Sequence, residues 1–123
     1  MNVNLVADTL NSALQGLHAR VTRNTPPTNP TSPHVVFNVE SVTDTYPSND
    51  FYIYVDVIDN PNVSVRAIET LADTIDVALN HQTFDTTQIN IHFERILRQY
   101  VGKNDLTSLQ MIQLQYSARA YFK

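Results

Sequence analysis

Residues 51–64 read FYIYVDVIDNPNVS, and the alternation in this stretch decides the class of the fold. In an extended chain successive side chains point to opposite faces, so Phe51, Ile53, Val55 and Val57 share one face and Tyr52, Tyr54, Asp56 and Ile58 share the other. The first set is apolar enough to be a core face. Asn60-Pro61-Asn62 then breaks the strand, and Ser64 is an N-cap residue for a helix with the stripe Val65, Ile68, Leu71, Ala72, Ile75 and Leu79, closed by Asn80. Two carboxylates near a strand end raise the question of chemistry. Asp56 and Asp59 are three residues apart, an offset that sends their side chains to opposite faces of a strand, so they cannot converge on one atom unless the strand has already ended. Asp59, just before Asn-Pro, fits a turn anchor that accepts backbone hydrogen bonds.

Upstream, Val3, Val6, Leu10, Ala13, Leu14, Leu17 and Val21 have the three-and-four spacing of an amphipathic helix. Residues 22–34, TRNTPPTNPTSPH, hold four of the six prolines and predict a long extended loop. Residues 35–39, VVFNV, form a short strand, and SVTDTYPSND after them is rich in turn formers. Downstream, TTQINIHF alternates with Ile89, Ile91 and Phe93 on one face, then falters at Arg95-Ile96-Leu97, which predicts a bulge or bend. VGKNDLTS supplies a turn. The clearest alternation is in residues 110–123: Ile112, Leu114, Tyr116, Ala118, Ala120 and Phe122 face one way, and Met111, Gln113, Gln115, Ser117, Arg119 and Tyr121 the other. The expected architecture is a single α+β domain over residues 1–123, in the order αββαββ. Two helices would pack on one face of a mainly antiparallel four-stranded sheet. The opposite face keeps Tyr52, Tyr54, Met111 and Tyr121, amphipathic residues of the kind that interfaces favour.

Several function classes are excluded or left unsupported. The 123 residues include no cysteine, so there is no disulfide framework, thiolate metal site or cysteine nucleophile. Two glycines cannot build the phosphate cradles of Rossmann or P-loop proteins. His18, His34, His81 and His92 are scattered and do not make a paired zinc spacing. His81 suits the C-terminus of a helix, and His92 and Glu94 share the polar side of one strand. Asp73 and Asp76, three apart, share the polar face of the second helix with Glu69, where solvated charge is the usual explanation, and no further ligand at metal spacing accompanies the pair. No apolar run is long enough for a membrane helix and the N-terminus lacks signal-peptide character, so the chain is expected to be soluble and not exported. A net charge of -4 argues against electrostatic capture of nucleic acid, although Arg95, Arg98, Tyr100, Lys103, Arg119, Tyr121 and Lys123 make one basic, aromatic set. Contact with acidic surface on a neighbouring subunit explains that set without a nucleic acid. Residues 1–80 carry nine acids and three bases, and residues 81–123 three acids and five bases, an asymmetry suited to head-to-tail self-association.

The order of elements and three runs resemble the tail-terminator, or tail-completion, proteins of long-tailed bacteriophages, which form the head-to-tail joining ring. The runs are the leading amphipathic helix with its proline-bearing loop, then YIYVDVIDNPNVSVRAIETLADTIDVALN, then residues 95–100 ahead of a turn and the strand LQYSARAYF. The likeness covers nearly the whole chain. It implies a structural protein with no enzymatic activity, cofactor or metal. The family forms a ring, typically hexameric, on the last tier of the tail tube, stops its polymerisation and offers a surface to a head-completion or connector protein. DNA passes through the ring without sequence-specific binding. The place implied is the virion, at the head-proximal end of the tail, after assembly in the bacterial cytoplasm and without a membrane. Tyr52, Tyr54, Asp56, Arg95, Arg98, Arg119 and Tyr121 are then candidates for a subunit or partner interface, and Glu69, Asp73 and Asp76 for lumen or rim. The alternatives are another neck or connector protein, a tail tube subunit, or a small hydrolase or metal-dependent enzyme using Asp56 or Asp59.

Overall fold

The computed structural model describes residues 3–17, 21–23, 34–45, 48–59, 66–101 and 110–123. Helix α1 spans Val3–Gln15 and buries Val6, Ala7, Leu10 and Leu14, the stripe set by three-and-four spacing. Strand β1, Val21–Arg23, is followed by the long strands β2, His34–Thr45, and β3, Ser48–Asp59. Helix α2, Arg66–Leu79, buries Ile68, Ala72, Ile75 and Leu79. It ends where the Asn80 N–H donates to the Asp76 carbonyl at 2.8 Å and His81 takes a left-handed φ of 62°, the conformation that commonly terminates helices. Strands β4, Thr83–Asp85, β5, Ile89–Val101, and β6, Gln110–Phe122, complete the chain.

The strands form one sheet in the order β1-β2-β3-β6-β5-β4. This overturns the expected four-stranded, αββαββ arrangement: the described residues form six strands in a curled, mixed sheet, because β1 runs parallel to β2 while the remaining pairs are antiparallel. Strands of three residues are too short to show a period of two, which is why β1 and β4 leave no pattern in the sequence. Thr22, Arg23 and His34 are strand residues and not part of the expected loop; residues 24–33, Ser64 and the Asn60–Asn62 turn lie outside the described residues. Strand β2 also runs on past Val39 through the turn-forming SVTDT run, held by pairing with β3 as far as Thr45↔Ser48.

Both helices join one core with the odd-numbered face of β3. Phe51, Ile53, Val55 and Val57 are buried there with Ile89, Ile91 and Phe93 of β5, and with Leu114, Tyr116, Ala118 and Ala120 of β6. Helix α1 lies against β1, β2 and β5, and α2 against β3, β5 and β6. Removing a fully buried side chain from α2 tests this packing. Ile75→Ala is expected to lower the unfolding free energy by about 2–4 kcal/mol, the usual cost of a large-to-small core change. Urea titration followed by circular dichroism reads it, and a loss below about 1 kcal/mol would contradict the buried position of α2.

Candidate assembly surfaces

The sheet face turned away from the helices is set by the same alternation that builds the core. It carries Tyr52, Tyr54 and Asp56 of β3, His92 and Glu94 of β5, and Ser117, Arg119 and Tyr121 of β6, all at least partly exposed. Arg119 and Asp50 are direct cross-strand partners, and the Arg119 Nε donates to Asp50 Oδ1 at 3.2 Å. A recess of about 540 Å³ opens here between Tyr52, His92, Glu94, Ser117, Arg119 and Tyr121. At one side Glu94 bridges two imidazoles: Oε1 lies 2.6 Å from His92 Nε2, and Oε2 lies 2.5 Å from His81 Nδ1. The other nitrogen of His92 is 2.7 Å from the Thr83 hydroxyl. The hydrogen bond with His92, with His81 beside it, holds the Glu94 carboxyl below its ordinary value. The His92–Glu94 pairing is visible in the alternation of β5, whereas His81 arrives through the left-handed turn after α2, a tertiary approach with no sequence signal.

Asp56 and Asp59 are separated as their spacing requires. Asp59 is 3% exposed and lies opposite Gln110 at the end of β3, on the helix side, whereas Asp56 faces the open side. Burial pushes the Asp56 carboxyl above its ordinary value while a hydrogen bond with Gln113 pulls it back, and its Oδ1 has no hydrogen-bond partner among the described residues. No cluster of His, Asp or Glu among the described residues is arranged to hold a metal ion.

The second surface lies where α2 crosses β5. The register of β5 against β6 shifts between Arg95 and Leu97, so Arg95 lies opposite Tyr116 and Arg98 opposite Leu114, both in rows whose β6 residue is in the core. Without the extra residue, Ile96, a three-residue offset would put the two arginines on opposite faces. With it, both reach α2. Arg95 Nη1 lies 2.8 Å from Asp76 Oδ2 and Arg98 Nη1 2.5 Å from Asp73 Oδ1. Asp76 also accepts the Tyr116 hydroxyl at 2.8 Å, and burial together with that bond pushes the hydroxyl well above the ordinary tyrosine value. The structure therefore gathers Tyr52, Tyr54, Asp56, Arg119 and Tyr121 on the open face and places Arg95 and Arg98 on the other. Asp73 and Asp76 hold those arginines, while Glu69 stays exposed on α2. Val77, Ile96 and Leu97, exposed at 77%, 51% and 42%, carry no sequence signal beyond the faltering alternation at residues 95–97, whereas Tyr100, exposed at 51%, belongs to the basic, aromatic set.

No family model and no curated protein matches the sequence. Solved structures do share the fold. A chain of the virion of the native gene transfer agent particle superposes with a TM-score of 0.67 at 14% identity, over 91% of this chain and 91% of its own. A second solved chain, with no stated role, matches with a TM-score of 0.63 at 11% identity, over 95% of this chain and 96% of its own.

The burial of Asp56 has a measurable consequence. A carboxyl whose folded pKa is raised favours the fold below its unfolded pKa, near 4, and that contribution is lost as pH rises through the folded value. At neutral pH its charge is thus a small cost to the isolated chain. Asp56→Asn is expected to raise stability at pH 7 by roughly a few tenths of a kcal/mol, because the site is partly solvated and screened. The gain should shrink below about pH 4. Thermal melts at pH 7 and pH 3.5 decide it, and a lower midpoint at pH 7 contradicts it.

Proposed function

We propose that the chain is a structural virion subunit of the tail-terminator kind. It forms a closed homo-oligomeric ring, six-membered as is typical of that family, on the last tier of a tail tube, arrests tube growth there and presents a face to a head-completion protein. It acts without catalysis, cofactor or metal, at the head-proximal end of the tail. The observation that carries this reading is the likeness of fold, over nearly the whole of both chains, to a component of a gene transfer agent virion. That likeness also fits a neck protein or a tube subunit; the resemblance of the sequence runs described first favours the terminator.

Physical features agree with a ring. The unlike charge of the two chain portions suits contacts that are heterologous and close by rotation. A net charge of -4 lets DNA pass through without adhering. The half-apolar open face, with Tyr52, Tyr54 and Tyr121, offers a second subunit or an adjoining tier a surface rich in aromatic area. The enzyme alternative is weakened by Asp56 and Asp59 lying on opposite sides of the sheet, which denies them a shared ion or water.

Negative-stain microscopy of the purified chain, alone and mixed with tail tubes, tests the proposal. Discrete closed rings, and caps at one end of the tubes, are expected. Long tubes formed by the chain itself would identify a tube subunit instead, and a chain that stays monomeric and caps nothing at any concentration would overturn the reading.

A further inference from the structure

Among the described residues, the two edges of the sheet are each only half covered. Strand β1 pairs with β2 at Val35, Val36 and Phe37, and β4 pairs with β5 at Asn90, Ile91 and His92, beyond which the Phe93 N–H donates to the Gln82 carbonyl and the Phe93 carbonyl accepts from the His81 N–H. Among the described residues, no strand lies outside β2 from Asn38 to Thr45 or outside β5 beyond Arg95, whose N–H goes to Asn80 Oδ1. These uncovered halves sit at diagonally opposite corners of the sheet. The one on β5 exposes Ile96, Leu97 and Tyr100 at 51%, 42% and 51%. A long apolar edge of this kind is a template for another strand, and natural proteins rarely leave one bare. The two halves also differ in the charged residues they carry, although the arginines of β5 are held by Asp76 and Asp73 of α2. Residues 38–45, NVESVTDT, contain Glu40 and Asp44 and no base, whereas residues 95–101, RILRQYV, contain Arg95 and Arg98 and no acid.

We propose that copies of the chain join by strand addition: the uncovered half of β2 in one copy lies antiparallel against the uncovered half of β5 in the next, so that the sheet continues around the ring. This rests on the ring reading above and names its contact. Direction permits it, because β2, β3, β6 and β5 alternate up, down, up, down. In a copy related by rotation β5 still runs down, so the seam is antiparallel like the rest of the sheet and the head-to-tail contact can repeat until it closes.

Register is set by the short strands. Asn38, Tyr54, Gln115 and Leu97 occupy one row of the ladder. Moving the next copy by about four residues along its strands, roughly 13 Å, brings its Val101 just beyond Phe37, where β1 stops, and its Phe93 just past Thr45. A smaller shift drives β1 and β4 into the neighbouring strands. A larger one leaves apolar edge bare. In this register Glu40 faces Gln99 and Val39 faces Tyr100, as cross-strand neighbours on the open and the helix side of the sheet respectively. Four strands at about 4.8 Å span roughly 19 Å, so a 13 Å stagger per copy tilts the strands by about 35°. That is the lower end of the roughly 35–45° tilt that closed barrels adopt.

A chain without cysteine makes the seam directly testable. Residues directly opposite in an antiparallel pair have Cα atoms about 4.5–5.5 Å apart, within reach of a disulfide. Glu40 and Gln99 are both exposed, so Glu40→Cys with Gln99→Cys leaves the core untouched. Oxidation of the assembled double variant is expected to give a ladder of covalent oligomers on non-reducing gels, ending at the ring. Either single variant alone should stay monomeric, and so should a Glu40→Cys, Gln88→Cys control. Rings in the microscope with no ladder would overturn the seam and leave the ring standing. A ladder with no upper limit, together with filaments, would overturn closure. Neither rings nor ladder, in a variant with the parent's melting curve, would overturn both.

Discussion

Everything in this structure depends on the ladder between β3 and β6. It runs from Asn49↔Ala120 to Asp59↔Gln110 without a bulge, and both strands are flanked on their outer sides by further strands. The side-chain period is two, so a slip of one residue would turn Ile53, Val55, Leu114 and Tyr116 from the core to the open face together. Such a slip would also put Arg119 and Gln113 under the helices. The register is thus held by two faces of opposite character at once. That rigidity is what allows the open face to present Tyr52, Tyr54, Arg119 and Tyr121 in fixed relation.

The long elements were legible because each buries one face over enough residues for its period to show. The alternation of β3 and β6, the stripe of α2 and the break at Arg95-Ile96-Leu97 appear in the chain as they do in the sheet, whereas the stripe expected from Val3 to Val21 is helical only to Gln15, and Val21 opens β1. What could not be read is whatever arises from pairing alone. Strands β1 and β4 are three residues long, and β2 crosses a run of turn formers because β3 supplies its hydrogen bonds. The two candidate surfaces divide in the same way. The tyrosines and Arg119 follow from alternation. The union of Arg95 with Asp76 and of Arg98 with Asp73 needs both a bulge and a helix docked in one orientation, and neither sequence run implies the other.

The α2–β5 junction shows how polar groups are used where a core thins out. Asp76 sits between the Tyr116 hydroxyl, which rises from the core, and the Arg95 guanidinium, which reaches it from the solvent side. A buried hydroxyl without a partner would cost about 1–3 kcal/mol, so the aspartate resolves a problem that a tyrosine in the centre of β6 creates. The two ion pairs are largely surface contacts and add little by themselves. Their effect is orientation: they tie one side of α2 to the strand that carries the exposed apolar edge.

The strand order has a consequence for biosynthesis. β1, β2 and β3 form one contiguous group and β4 and β5 another; β6 is the wedge that joins them. While a ribosome is still producing the segment after β5, the nascent chain holds two unjoined ribbons, each with an inner edge that matches nothing yet made. About fifty residues separate β3 from the strand that completes it, so closure waits on a long loop and folds late. The sheet of this design becomes continuous only after its last long strand has emerged. Until then both inner edges stay open, and the interval before β6 inserts is when the chain exposes the most unpaired backbone.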